Sequence, residues 1–240
     1  MMHKKKMLEA FKNWAKNKEF SLQDLFPTVV KKEAIHIDLS IHNTLVKTIN
    51  EFNNLLYFEE KLEEILVKNP TKIIAGGYLE KRALYTSDNY RRSTKTGIEK
   101  RDTHLGVDFW LPAKTPVNTV LDGEIVCITD DNFEKGYGGL LILKHKTENN
   151  VFYTLYGHLS LASIAHHKIG NFLIKGTEIG VLGNASENGN WLPHLHFQIM
   201  LTLLDFKNDF PGVAYESEID YWKSICPNPK LLFKLKALDK

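Results

Sequence analysis

The sequence predicts an α+β protein: a helical N-terminal region, then a compact antiparallel β-sheet domain, then a short mixed C-terminal extension. Three observations carry that expectation. Between residues 7 and 68, apolar side chains such as Leu8, Phe11, Trp14, Leu45, Ile49, Phe52, Leu62 and Ile65 recur every three or four positions, the period of a helix with one buried face. Between residues 104 and 202 the texture changes to short β-branched and aromatic runs cut by Gly- and Pro-containing turns, the pattern of a β-sandwich or barrel. From residue 206 onward it is mixed again, with Pro211-Gly212, Tyr221-Trp222 and Cys226-Pro227-Asn228-Pro229. The expected segments are therefore a helical region at 1–77, a polar connection at 78–102, a β domain at 103–205 and an extension at 206–240.

Taken in order, the first helix should end before Pro27, with Ser21 or Asp24 capping a short second one. Pro70 and Gly76-Gly77 mark a boundary. Residues 78–102 are polar and basic; they read either as a solvated loop or as one wall of a site, with Arg82, Arg91, Arg92 or Arg101 available to hold an anionic group. The expected strands are 107–110, 117–120, 124–128, 140–145, 151–156, 178–182 and 195–201. The tail is expected to be a lid or a packing extension.

Composition narrows the function classes. Hydrophobic residues at 43% and charged residues at 25% are ordinary for a globular protein with a sizeable core. A formal net charge of +2, with no basic cluster interleaved with aromatics, argues against a nucleic-acid partner. No run of ~18 apolar residues could span a membrane. The cysteines, Cys127 and Cys226, match no disulfide framework and no zinc-binding spacing, and Cys127 falls in an apolar strand-like run. The basic start, Lys4-Lys5-Lys6, opens like an export signal, but Lys12, Lys16 and Lys18 interrupt the apolar stretch of ~7–15 residues that such a signal needs. A cytoplasmic location is expected, with a periplasmic or extracellular one as the alternative.

Chemistry concentrates on histidines. His194 and His196 are two apart on an expected strand, so both imidazoles leave one face while Leu195 and Phe197 leave the other. Such a pair alone is a weak signal, since surface histidines two apart are common. Upstream lie His104 and Asp108, and between them and the pair lies His158. Imidazoles and a carboxylate are ligands that Zn²⁺ accepts, and three protein ligands leave a fourth position open. In an extended chain His104 and Asp108 would stand ~13 Å apart, so the backbone must turn at Leu105-Gly106, where glycine permits it. No H-E-x-x-H arrangement supplies a carboxylate base. His145, His166 and His167 are weaker candidates.

His104-x-x-x-Asp108, Tyr156-Gly157-His158-Leu159-Ser160 and Pro193-His194-Leu195-His196-Phe197 occur in the order and approximate spacing of the lysostaphin/LytM-type zinc metallopeptidases, which this stretch resembles. Asp122-Gly123, Gly136-Tyr137-Gly138 and Lys175-Gly176 match accessory positions, and the resemblance covers about residues 100–202. It implies an antiparallel β fold with a zinc-holding groove. It further implies His104, Asp108 and His196 as Zn²⁺ ligands, His158 and His194 as the histidines that move protons and stabilise the transition state, and a peptide or peptidoglycan fragment as substrate. All five positions are present, whereas inactive members of that family commonly lack a ligand.

The chain also departs from the family pattern. Trp191-Leu192 precede Pro193 and Phe109-Trp110 follow Asp108, where smaller residues are usual. These aromatics are expected to narrow the groove, with Trp110, Trp191, Arg91 and Arg101 contacting the substrate. The leading expectation is a zinc-dependent peptidoglycan-type endopeptidase. The alternatives are an intracellular zinc amide hydrolase acting on a small soluble substrate, and a non-catalytic metal-supported binding or activator module.

Overall fold

Ile73-Ile74-Ala75, enclosed by Pro70 and Gly76, is a short buried apolar run, and it forms a strand next to one edge of the chain's largest sheet. The computed structural model describes residues 2–95, 97–131, 133–148 and 150–239; Met1 and Lys240, the outer limits of the expected segments, lie outside the described residues. The N-terminal region contains α1 (Met2–Ala15), α2 (Leu22–Leu25), β1 (Glu33–Ile35), α3 (Ile49–Asn53), α4 (Leu55–Lys68) and β2 (Lys72–Gly76). The polar connection holds β3 (Arg91–Thr94) and β4 (Gly97–His104). Then follow β5 (Val107–Trp110), β6 (Pro116–Asn118), β7 (Gly123–Asp131), β8 (Gly138–Lys146), β9 (Val151–Leu159), α5 (Leu161–Ile164), β10 (Phe172–Leu173), β11 (Glu178–Val181) and β12 (His194–Met200). The tail carries β13 (Val213–Tyr215), α6 (Ile219–Ile225) and α7 (Lys230–Phe233).

The main sheet runs β1-β2-β5-β12-β9-β8-β7-β10, and every pairing except β1–β2 is antiparallel. The protein is thus mixed α/β with a largely antiparallel sheet. Residues 1–77, expected to be helical, also contribute two strands to it: β2 pairs with β5 through Ile74–Trp110, Ala75–Phe109 and Gly76–Asp108. The connecting segment is no plain loop either, because β3 and β4 form a hairpin that β13 of the tail extends.

Ser21 caps α2 in a full capping box, its hydroxyl accepting from the Asp24 amide while the Asp24 carboxylate accepts from the Ser21 amide. Behind the sheet, rings from both termini close the core: Phe11 on Phe152 at 5.0 Å, Phe26 on Phe109 at 5.6 Å and Phe233 on Phe197 at 5.2 Å. Strand alternation places Phe109 in this core, so it does not narrow the groove as expected; its neighbours Asp108 and Trp110 point the other way. The tail packs: α6 and α7 lie against α1, and β13 holds β4.

Candidate metal centre

Strand β12 sits between β5 and β9, with His196 opposite Asp108 on one side and Gly157 on the other. Leu195, Phe197 and Ile199 face the core; His194 and His196 line a cleft on the other face, and Gln198 lies buried beside His196. The chain leaves β4 at His104, breaks at Leu105-Gly106 and enters the main sheet as β5, which folds His104 back over Asp108. Gly106 serves close approach and not the left-handed region: a Cβ there would stand 2.6 Å from the His196 ring.

Among the described residues, His104, Asp108 and His196 form a cluster able to hold a metal ion, and all three are buried. His104 Nε2 lies 2.8 Å from His196 Nδ1, and each lies 3.2 Å from Asp108 Oδ1. Tetrahedral Zn²⁺ with ligands at ~2.0–2.1 Å has edges of roughly 3.3 Å, close to this triangle.

Tautomers decide whether the donors fit. His104 Nδ1 is 2.9 Å from the Gly77 carbonyl oxygen, which can only accept, so that nitrogen carries the hydrogen and Nε2 keeps its lone pair. Gln198 donates its amide to the Pro211 carbonyl at 3.1 Å, which turns Oε1 towards His196 Nε2 at 3.0 Å. His196 therefore donates from Nε2 and keeps a lone pair on Nδ1. Two nitrogen lone pairs and a carboxylate oxygen then face one point with no hydrogen between them. A cation relieves that repulsion, and outer hydrogen bonds of this kind commonly orient metal-binding histidines.

Charge follows burial. Burial pushes His104 down to about 3, helped by the Arg82 guanidinium and opposed by Asp108. Burial works against the Asp108 carboxylate, yet His104 and Arg82 hold it well below the usual range. Arg82 donates from Nη1 to Asp108 Oδ2 at 2.7 Å and from Nε to Glu80 at 2.6 Å.

The second histidine pair stands beside the first. His194 Nδ1 donates to the Leu192 carbonyl at 2.7 Å, leaving Nε2 3.8 Å from Asp108 Oδ1. His158 Nδ1 donates to the Asn188 carbonyl at 3.1 Å, and the two rings are 4.2 Å apart. His158 has φ +65°, a left-handed conformation that costs a non-glycine residue energy and persists where the surroundings impose it. Burial lowers both imidazoles, and for His158 the neighbouring His194 adds to the effect.

Of the expected substrate contacts, Trp110 stacks on His194 at 5.5 Å and 22°, and Trp191 lines the cleft with its indole N–H on the Gly136 carbonyl at 3.0 Å. Arg101 also lines it. Arg91 does not: it is exposed on β3, where it donates to the Thr86 carbonyl at 2.9 Å and pairs with Asp88. Gln198, the Gly77 carbonyl and the Arg82–Asp108 pair were missed. Gln198 could have been found by carrying the two-residue alternation one step past His196. Nothing local to residues 77–82 announces the other two.

Residues 102–207 match Peptidase family M23. Peptidoglycan DD-endopeptidase ShyB of Vibrio cholerae is 27% identical over 130 residues, 54% of this chain and 26% of the relative. ShyA of the same species is 32% identical over 98 residues, 41% of this chain and 20% of the relative. Lysostaphin of Staphylococcus simulans is 31% identical over 121 residues, 50% of this chain and 22% of the relative. The chain thus spans about a quarter or less of these relatives' lengths. The crystallised catalytic domain of lysostaphin from Staphylococcus simulans is 29% identical, covering 51% of this chain and 80% of that domain, with a TM-score of 0.35. The similarity to Peptidase family M23 therefore lies in residues 102–207, the stretch that carries His104, Asp108, His158, His194 and His196.

Proposed function

We propose that the protein is a zinc-dependent endopeptidase that cleaves a peptide bond of peptidoglycan. The observation that carries this reading is the convergence of three unprotonated donors from His104, Asp108 and His196, with both histidines tied by their outer nitrogens. Its kinship with relatives named peptidoglycan endopeptidases supplies the substrate class.

His104 Nε2, His196 Nδ1 and Asp108 Oδ1 would hold the zinc. When bound, zinc polarises the scissile carbonyl and acidifies water. His194 Nε2, 3.8 Å from Asp108 Oδ1, presents its lone pair because Nδ1 donates to the Leu192 carbonyl, so it takes the proton of the attacking water. Neutral His158 also presents a lone pair and can donate only after receiving a proton. The adjoining rings form a pair through which the proton reaches the leaving amine. Trp110 fixes the His194 ring by stacking. The Tyr137 hydroxyl is already committed to the Phe210 carbonyl at 3.1 Å and is left out of the proton path.

One observation favours a second reading, a small soluble amide substrate. Leu39, Phe52 and Phe58 of the N-terminal region wall the cleft together with Trp191, with Phe52 5.7 Å from the Trp191 ring. Digestion of purified peptidoglycan, with product masses, separates the two readings. New amine ends that vanish with a chelator support the first; cleavage of soluble peptides alone supports the second.

A further inference from the structure

The segment before the stretch that matches the family reaches into the metal centre. Residues 77–82 are zipped to β4 by backbone hydrogen bonds: Leu79 N–H to the His104 carbonyl at 2.8 Å, His104 N–H to the Glu80 carbonyl at 2.9 Å, and Arg82 N–H to the Asp102 carbonyl at 2.8 Å. This fixes Arg82, whose side chain is 3% exposed, between two carboxylates. Glu80 is itself held, because its other oxygen accepts the Leu39 amide at 2.9 Å. A Cβ on Gly77 would stand 2.0 Å from Arg82 Nη2, so a glycine with φ +102° is what lets the guanidinium lie here.

Asp108 consequently has two different oxygens. Oδ2 receives Arg82 Nη1, and Oδ1 alone faces His104 and His196. A free carboxylate can offer a metal one oxygen or both. We infer that Arg82 is a positioning residue: by occupying Oδ2 it restricts Asp108 to a single ligating oxygen and keeps a coordination position open. The guanidinium fork suits this task, since it serves Glu80 and Asp108 at once, which an ammonium at one point cannot do in the same geometry. Arg82 lies outside residues 102–207, so the centre is completed by a side chain from outside the stretch that matches the family.

The inference rests on the metal-centre reading, and Co²⁺ as a probe separates the two. Cobalt is titrated into the metal-free full chain, with stoichiometry read by elemental analysis and coordination number by the intensity of the visible bands. Wild type that takes up no equivalent of Co²⁺ would remove the metal-centre reading, and this inference with it. Given wild-type binding, Arg82→Gln should keep one Co²⁺ but show weaker bands, as expected of a higher coordination number. Its peptidoglycan digestion should slow about 10–100-fold, the range for lost outer partners. Arg82→Lys should fall between the two, and it decides the matter alone if Arg82→Gln does not fold. Wild-type band intensity in a folded variant, or a folded Arg82→Gln that binds no Co²⁺, would overturn the inference.

Discussion

His145 on β8 and His196 on β12 are both buried histidines on strands of one sheet, yet of the two only His196 belongs to the cluster able to hold a metal ion. His145 Nδ1 donates to the Asp122 carbonyl at 2.8 Å, and its Nε2 accepts from the Thr154 hydroxyl at 2.7 Å, so both nitrogens are satisfied. His196 is satisfied at Nε2 only, and its Nδ1 points at two other electron-rich atoms. Burial therefore does not distinguish a functional histidine here, and neither does a lowered pKa, since burial takes His145 down to about 4 and His104 to about 3. The unsatisfied nitrogen does. The same test separates His158 and His194, each tied through Nδ1 to a carbonyl with Nε2 left free.

The largest expected effect breaks that comparison on the catalytic side. His194→Ala or His158→Ala should leave zinc bound and lower turnover on purified peptidoglycan by about 10²–10⁴, the range for a lost acid–base group. If neither change slowed the reaction, a free buried nitrogen would not mark a catalytic group.

A smaller effect is expected where only the outer partner changes. Gln198→Leu removes the acceptor that fixes the His196 tautomer, so zinc affinity should drop about 10–100-fold in a chelator competition, with the fold intact. An unchanged affinity would mean that the strand alone orients His196.

The last effect falls on stability and not on the metal centre, and it concerns His145. Its folded pKa is depressed, so below the unfolded value near 6.5 the unfolded chain binds the extra proton. Its contribution is present above pH 6.5 and is lost as the pH falls towards about 4. The loss is on the order of 3 kcal/mol by linkage. In urea unfolding of the metal-free protein, His145→Gln should flatten the decline between pH 6.5 and 4. An unchanged slope would place the acid sensitivity on other groups.

Much of this centre was legible because its residues sit on short-period elements. Alternation along β12 separates His194 and His196 from Leu195 and Phe197, and the distance argument placed the break between His104 and Asp108. The same alternation, applied to β5, would have sent Phe109 to the core and left Trp110 to the groove. What stayed hidden depends on pairing between distant segments. Ile73-Ile74-Ala75 read as the approach to a boundary because nothing in 70–77 says that its partner is 108–110. Arg82 read as one basic residue of a polar stretch, since its partner Asp108 lies 26 positions downstream. Gly106 was read as a turn residue, and the chain does bend there; what stayed hidden is that it also makes room for a ring 90 positions away.

Zinc content in three purified proteins tests the central claim most directly: wild type, His196→Ala and His194→Ala, each dialysed against dilute Zn²⁺ and measured by elemental analysis. Wild type and His194→Ala should each hold one zinc per chain, and His196→Ala should hold none, because its ligands fall from three to two. Zinc retained by His196→Ala, or lost from His194→Ala, would contradict the assignment of the converging nitrogens as the metal site.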